Sequence, residues 1–221
     1  MANEQERYAS TAAFPLIRHD LFKAKAFKPK AGGKEGAPKF RATFVMDPAS
    51  DDFKAIVRTA KKLAKEKFGE RGEDDPPLKW PWTKVEVAQR KAEKNKPGSG
   101  AFLDWAKGMV LVVASTGEDY PPELLGIENG DIVTYDDDAK KAKAKGKFYN
   151  GVECFFQVNI SAFDGGNEGV CCYLDKVLTT GKGTKRGGAG GGASGKEVFS
   201  KYVGKISAED PTDGIDEDEG Y

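Results

Sequence analysis

Apolar and polar positions alternate most cleanly between residues 149 and 163. Val152, Cys154, Phe156, Val158, Ile160 and Ala162 make one face, and Gly151, Glu153, Gln157, Asn159 and Ser161 lie opposite. That period of two predicts a half-buried strand, but the polar face also carries Tyr149, Phe155 and Phe163. Residues 39–46 repeat the pattern, with Phe40, Ala42, Phe44 and Met46 against Lys39, Arg41 and Thr43. Before them, residues 13–28 read as an extended segment that turns basic. A Gly-rich turn at 31–38 joins the two into a long hairpin with cationic solvent-facing positions.

After Asp47-Pro48 the period changes to that of a helix. Phe53, Ile56, Val57, Ala60, Leu63, Ala64 and Phe68 keep helical spacing, Ser50 or Asp51 caps the start, and Gly69 closes the end. Lys61, Lys62, Lys65 and Lys67 fall on the outer side of this helix and read as a solvated face. Residues 108–114 (GMVLVVA) are continuously apolar and predict a strand covered on both sides. Short strands are expected at 131–135 and, after a turn at 164–169, at 170–178. Three stretches read as loops: a polar excursion at 69–100, a charged run at 136–147, and the Gly-rich segment 181–196. Residues 198–206 (VFSKYVGKI) read as a short docking segment. The sum is a mainly β chain with one or two helices, built as a small closed or curled sheet elaborated by loops.

The chain has 221 residues, 38% hydrophobic and 32% charged, enough for one substantial core with long loops. Its 35 basic and 35 acidic residues cancel, but not locally. Glu209–Tyr221 holds seven carboxylates and no base, so residues 1–208 keep 35 bases against 28 acids, a surplus of +7. Segregated charge of this kind marks residues 209–221 as a disordered acidic tail. Asp216, Glu217, Asp218, Glu219 and the terminal Tyr221 then either attract a partner or mimic a polyanion. Residues 1–208 form the single expected domain. No apolar run approaches the ~20 residues of a membrane span, and the first residues lack a signal-peptide pattern. Cys154, Cys171 and Cys172 form no CxxC pair and read as reduced core residues of a cytoplasmic protein. His19, the single histidine, reads as structural.

No cofactor, metal site or catalytic set is expected. Gly190–Lys196 fits a GxxxxGK pattern, but Glu197 stands where a magnesium-binding Ser or Thr is needed. Asp136, Asp137 and Asp138 are consecutive, so their side chains splay. What remains is cations interleaved with rings: Lys23, Lys25, Lys39 and Arg41 on the predicted hairpin; Lys79, Trp80, Trp82 and Lys84 in the excursion; Tyr149, Phe155 and Phe163 on the strand. Single-stranded nucleic acid needs this pairing, since cations follow phosphates and flat side chains accept unstacked bases. Core packing is the competing reading for the two tryptophans, and an overlying helix for Phe155 and Phe163. A metal-dependent nuclease using Asp136–Asp138 or Asp20, and a protein-interaction module acting through the tail, are the alternative functions.

PLIRHDLFKAKAF, KFRATFVMD and FYNGVECFFQVNISAFDGGNEGVCCYLDKVLTTGKG together resemble a family of phage-encoded single-stranded-DNA-binding proteins with an OB-fold, over most of residues 14–180. The resemblance implies an elaborated OB-fold-like barrel and sequence-tolerant binding of single-stranded DNA in phage replication, recombination or repair. The acidic tail is similar to tails of phage and bacterial single-strand binders that recruit replication proteins. Here it ends Glu-Gly-Tyr, not Pro-Phe. A homodimer is compatible with the sequence, and DNA against RNA stays open.

Overall fold

The computed structural model describes residues 5–26, 35–70, 77–164 and 168–186. Along them run β1 (Gln5–Ala9), β2 (Phe14–Lys25), β3 (Lys39–Met46), α1 (Asp51–Phe68), β4 (Trp82–Lys84) and α2 (Val85–Asn95). A 3-10 helix (Ala101–Ala106), β5 (Val110–Gly117), β6 (Glu123–Glu128), β7 (Asp131–Thr134), α3 (Asp138–Ala144), β8 (Val152–Phe163) and β9 (Gly169–Gly183) follow. All fall in one compact unit, residues 1–188.

The ladders run in a circuit. β2 pairs antiparallel with β3, and β3 antiparallel with β5. β5 meets β9 in parallel at Ala114–Cys172, and β9 runs antiparallel to β8. β8 then returns to β2 through Phe14–Cys154 and Pro15–Glu153. β1 continues along β8 where β2 leaves it, and β6 and β7 extend the sheet beyond β9.

The alternating faces recognised in the sequence point into this circuit. Phe44 stacks on Phe156 with ring centroids 4.3 Å apart, and Leu16, Ala42, Val158 and Ile160 are fully buried around them. Ile56, Ala60 and Leu63 of α1 join the same core. The helix begins as expected, with Phe53 N donating to Ser50 Oγ at 3.3 Å, and ends at Gly69 with φ 70°. Lys61, Lys62 and Lys65 are exposed, Lys62 pairing with Glu6 at 2.5 Å and Lys65 with Glu70, whereas Lys67 is half-buried, 3.4 Å from Asp164 and donating to Ala162 O at 3.2 Å.

Four sequence expectations need correction. The excursion at 69–100 is not a coreless loop: it contains β4 and α2 and, with the 3-10 helix that follows, builds a second core. Val85, Leu103 and Ala106 pack there on Ile17, Val45 and Leu111, the outward side of β2, β3 and β5. Its apolar residues are too sparse to set a period, and only tertiary contact buries them. The charged run at 136–147 contains α3, capped by Asp137, whose carboxylate accepts Lys140 N at 2.7 Å. Residues 108–114 are covered on both sides at Leu111, but Val113 is 41% exposed. The Gly-rich segment begins as strand, since Gly181–Gly183 end β9. Beyond Arg186, the rest of that segment, residues 198–206 and the acidic tail lie outside the described residues.

Two local networks tie the elements together. Where β5 and β9 diverge, residues 79–84 fill the wall: Val113 N donates to Pro81 O at 2.8 Å, Val170 N to Lys79 O at 2.8 Å, and Lys79 N to Glu168 O at 3.0 Å. Gly169 permits this approach, because a Cβ there would sit 2.4 Å from Lys79 O. At the N-terminal end Asp52, 4% exposed, accepts from Tyr8 Oη, from Thr11 N at 2.8 Å, from Thr11 Oγ1 at 3.0 Å and from Ala12 N at 3.1 Å. Burial pushes this carboxyl up, but those donors outweigh it and hold its pKa below the usual value. Burial, reinforced by the same carboxylate, pushes the Tyr8 phenol far up.

Candidate nucleic-acid interface

The β2–β3 ribbon gathers charge. Arg41 lies opposite Asp20, and Lys25 opposite Lys39, with Lys25 Nζ 2.5 Å from Asp20. Like charges directly across a ladder are unfavourable, and here Asp20 offsets Lys25 and lies across from Arg41 while Lys39 faces Lys25. Lys23 is exposed on the same strand. The outward β3–β5 pairs then grade from Lys39–Gly117 and Arg41–Ser115, through Thr43–Val113, to Val45–Leu111 beneath the second core. The outward face of this pair is therefore cationic at one end, partly apolar at the half-exposed Val113, and covered by the second core at the other; its uncovered stretch is the β3–β5 trough. Thr43 was legible as strand parity and Val113 only as part of an apolar run, and neither signal reveals which stretch of a strand stays uncovered.

The remaining expected residues separate. Trp80 and Trp82 stack on each other with centroids 5.0 Å apart, and Trp82 sits edge-on to Phe53 at 5.8 Å. Trp82 pairs with Val112, on the core-facing side of β5, so both rings pack against the main core. They form part of the wall, with Lys79 and Lys84 exposed beside them. Tyr149, Phe155 and Phe163 are each partly exposed, but they do not make one platform. Tyr149 lies outside β8, in the turn that Val152 N closes by donating to Tyr149 O at 3.0 Å, and Phe155 and Phe163, eight residues apart on the strand, are separated by about 26 Å at about 3.3 Å per residue. Tyr149 donates to Gly183 O at 3.1 Å, Phe155 lies across from Leu178, and Phe163 across from Gly169.

One cluster was absent from the sequence reading. The Arg18 guanidinium lies 4.4 Å over the Phe102 ring, and that of Arg186 lies 4.3 Å over Trp105. Phe102 and Trp105 stand three apart on the 3-10 helix, where such positions eclipse. The spacing in AFLDWA was the available signal, but it had no meaning until the arginines were brought to it.

The groups that suggested other chemistry have local duties. Asp136 pairs with Lys140 at 2.8 Å, and Asp137 caps α3. Among the described residues no group of three or more His, Cys, Asp or Glu side chains could hold a metal ion. Burial pushes the Cys154 and Cys172 thiols up to about 12, so neither is a thiolate at neutral pH. His19 donates through Nε2 to Phe148 O at 3.0 Å, and burial holds its pKa down. Among the described residues, no helix is long and apolar enough to cross a membrane.

A cationic trough beside rings invites comparison with known single-strand binders. Residues 18–210 match the family described as Enterobacter phage Enc34, ssDNA-binding protein. The chain belongs to that family. No curated protein matches it. Among solved structures it is similar to the single-stranded DNA-binding protein from bacteriophage Enc34 in complex with ssDNA, at 14% identity and TM-score 0.57, covering 83% of this chain and 89% of that one. A second structure of the Enc34 protein matches at 13% identity and TM-score 0.57, over 88% of this chain and 89% of the other. Its C-terminal truncation matches at 14% identity and TM-score 0.55, over 83% and 88%. At these identities the likeness speaks for the fold alone: a strand-rich mixed α/β domain with a few helices.

Proposed function

We propose that this protein binds single-stranded DNA without sequence preference and serves phage DNA replication, recombination or repair as a binding protein, not an enzyme. Membership of the Enc34-type family across residues 18–210 carries the reading. The circuit of ladders is read as an OB-type five-stranded barrel, with the parallel β5–β9 contact as its seam. The β3–β5 trough is the proposed path of the strand. Lys23, Lys25, Lys39 and Arg41 neutralise phosphates along it, and Val113 with Thr43 gives bases an apolar floor. Tyr149, Phe155 and Phe163 act as separate stacking points, not as a continuous surface. Lys79 and Lys84 add charge beside Trp80 and Trp82, whose rings support the wall.

The acidic tail, with Asp216, Glu217, Asp218, Glu219 and Tyr221, competes for the trough when DNA is absent or recruits replication proteins. Such work belongs in the cytoplasm of an infected cell. Fluorescence titration with oligo-dT, duplex DNA and RNA of matched length tests the reading. Tight, salt-sensitive binding of oligo-dT with weak duplex binding is the expected result. Equal affinity for duplex, or no binding of oligo-dT in dilute buffer, refutes it.

A further inference from the structure

Arg18 breaks the rules of its strand. β2 slips register on β3 between Ile17 and His19, leaving Arg18 as an extra residue with φ 50°. Among the described residues the only other non-glycine with positive φ is Asn129, which precedes Gly130 in the β6–β7 turn, where that conformation is ordinary. An arginine in the left-handed region is uncommon and strained. The strain is held from outside the ladder, since Arg18 N donates to Asn150 Oδ1 at 3.0 Å. A bulge of this kind re-aims a side chain, and here the guanidinium is aimed over Phe102.

Beside it lies an open cleft of about 360 Å³ between the bulge and α2. Its α2 side is Ala88, Lys91, Ala92 and Asn95, spaced i, i+3, i+4, i+7. That stripe normally carries the apolar residues that anchor a helix, yet here it is small or polar, and Val85 is the one buried residue of α2. Arg18 and Lys91 are the charged groups of the lining, and no carboxylate is among them. The acids of α2 turn elsewhere: Glu86 accepts from Gly108 N at 2.7 Å, and Glu93 from Gly98 N and Gly100 N at 2.8 Å. Two cations thus share a cleft roomy enough for more than a lone phosphate.

We propose that this cleft is a nucleotide subsite of the DNA path, in which Arg18 and Lys91 hold one backbone phosphate. The Phe102 ring fixes the guanidinium plane, and Ala88 and Ala92 leave room for the sugar and base. The bound strand leaves the β3–β5 trough past Thr43 and enters the cleft. This rests on the single-stranded-DNA reading above and extends it to a site built by the 85–106 segment.

The test uses the full chain and oligo-dT, with affinity followed across salt concentrations. Arg18→Gly removes the side chain and relieves the strained backbone, so the variant melts no lower than wild type. Its affinity falls roughly tenfold, and the slope of log K against log salt flattens by about 0.7, the signature of one phosphate contact on a single strand. Lys91→Gln, on an exposed position, shows the same flattening. If wild type binds oligo-dT but both variants keep its affinity and slope, the subsite is refuted. So it is if Arg18→Gly melts well below wild type while Lys91→Gln binds normally, since Arg18 would then be a packing clip. Wild type that fails to bind oligo-dT sinks the parent reading instead, and the outcomes remain distinct.

Discussion

Replacing Asp52 by asparagine probes what ties the N-terminal strand to the body. The carboxylate takes four donors, from Tyr8, Thr11 twice and Ala12, and it sits in the first turn of α1, where the helix dipole favours an anion. An asparagine keeps one acceptor oxygen and turns an NH₂ toward the remaining donors, leaving the backbone N–H of Thr11 or of Ala12 without its acceptor. A hydrogen bond to a charged group contributes about 1.5–3 kcal/mol, and neighbours in one network do not add fully. A net loss of about 3 kcal/mol follows, which for a domain of this size lowers Tm by about 6–12 °C. The pH dependence gives a second reading. The folded pKa lies below the ordinary 3.8, so the stabilisation is whole above that value and disappears as pH falls through the folded pKa. Wild type and Asp52→Asn therefore differ at pH 7 and converge in acid. Thermal melts followed by tryptophan fluorescence at a series of pH values measure both. A variant within 2 °C of wild type at pH 7, or a gap that persists in strong acid, refutes the argument.

Three further outcomes are expected. Trp82→Ala leaves a hole beside Phe53 and Trp80 and destabilises by about 2–3 kcal/mol; urea denaturation measures this, and an unchanged midpoint would return the ring to the DNA path. Arg41→Gln leaves the melt unchanged and flattens the salt slope of oligo-dT binding by about 0.7, read by fluorescence titration; an unchanged slope removes Arg41 from the trough. Deleting residues 209–221 tightens binding several-fold and steepens its salt dependence; identical titrations for the two chains would exclude competition by the tail.

The sequence was most readable where one periodicity met one environment. β3, α1 and β8 kept their apolar faces at 2.0 or 3.6 residues because each buries a single face in a single core. β1 was missed because Arg7 and Glu6 dominate its composition; its place depends on the exposed edge of β8 and on Asp52, 41 residues from Thr11 in the chain. The second core was missed for a related reason. Val85, Leu103 and Ala106 come from separate elements and acquire meaning only against Leu111 and Val45. Within the candidate site, charge was legible and grouping was not. Lys25, Lys39 and Arg41 could be brought together by hairpin logic. Arg18 could not, because its direction depends on a register slip that no pattern of residue types announces.

The circuit of strands has a consequence for synthesis of the chain. β2, β3 and β5 are complete by Gly117, yet the strands that join their free edges, β8 and β9, begin at Val152 and Gly169. While a ribosome makes the intervening residues, the nascent half holds an unfinished wall with its apolar side open, the condition in which chains aggregate or meet a chaperone. Burial of the nascent core must wait for residues 152–183, so translation of the last third of the protein, not of its first half, sets when it becomes competent.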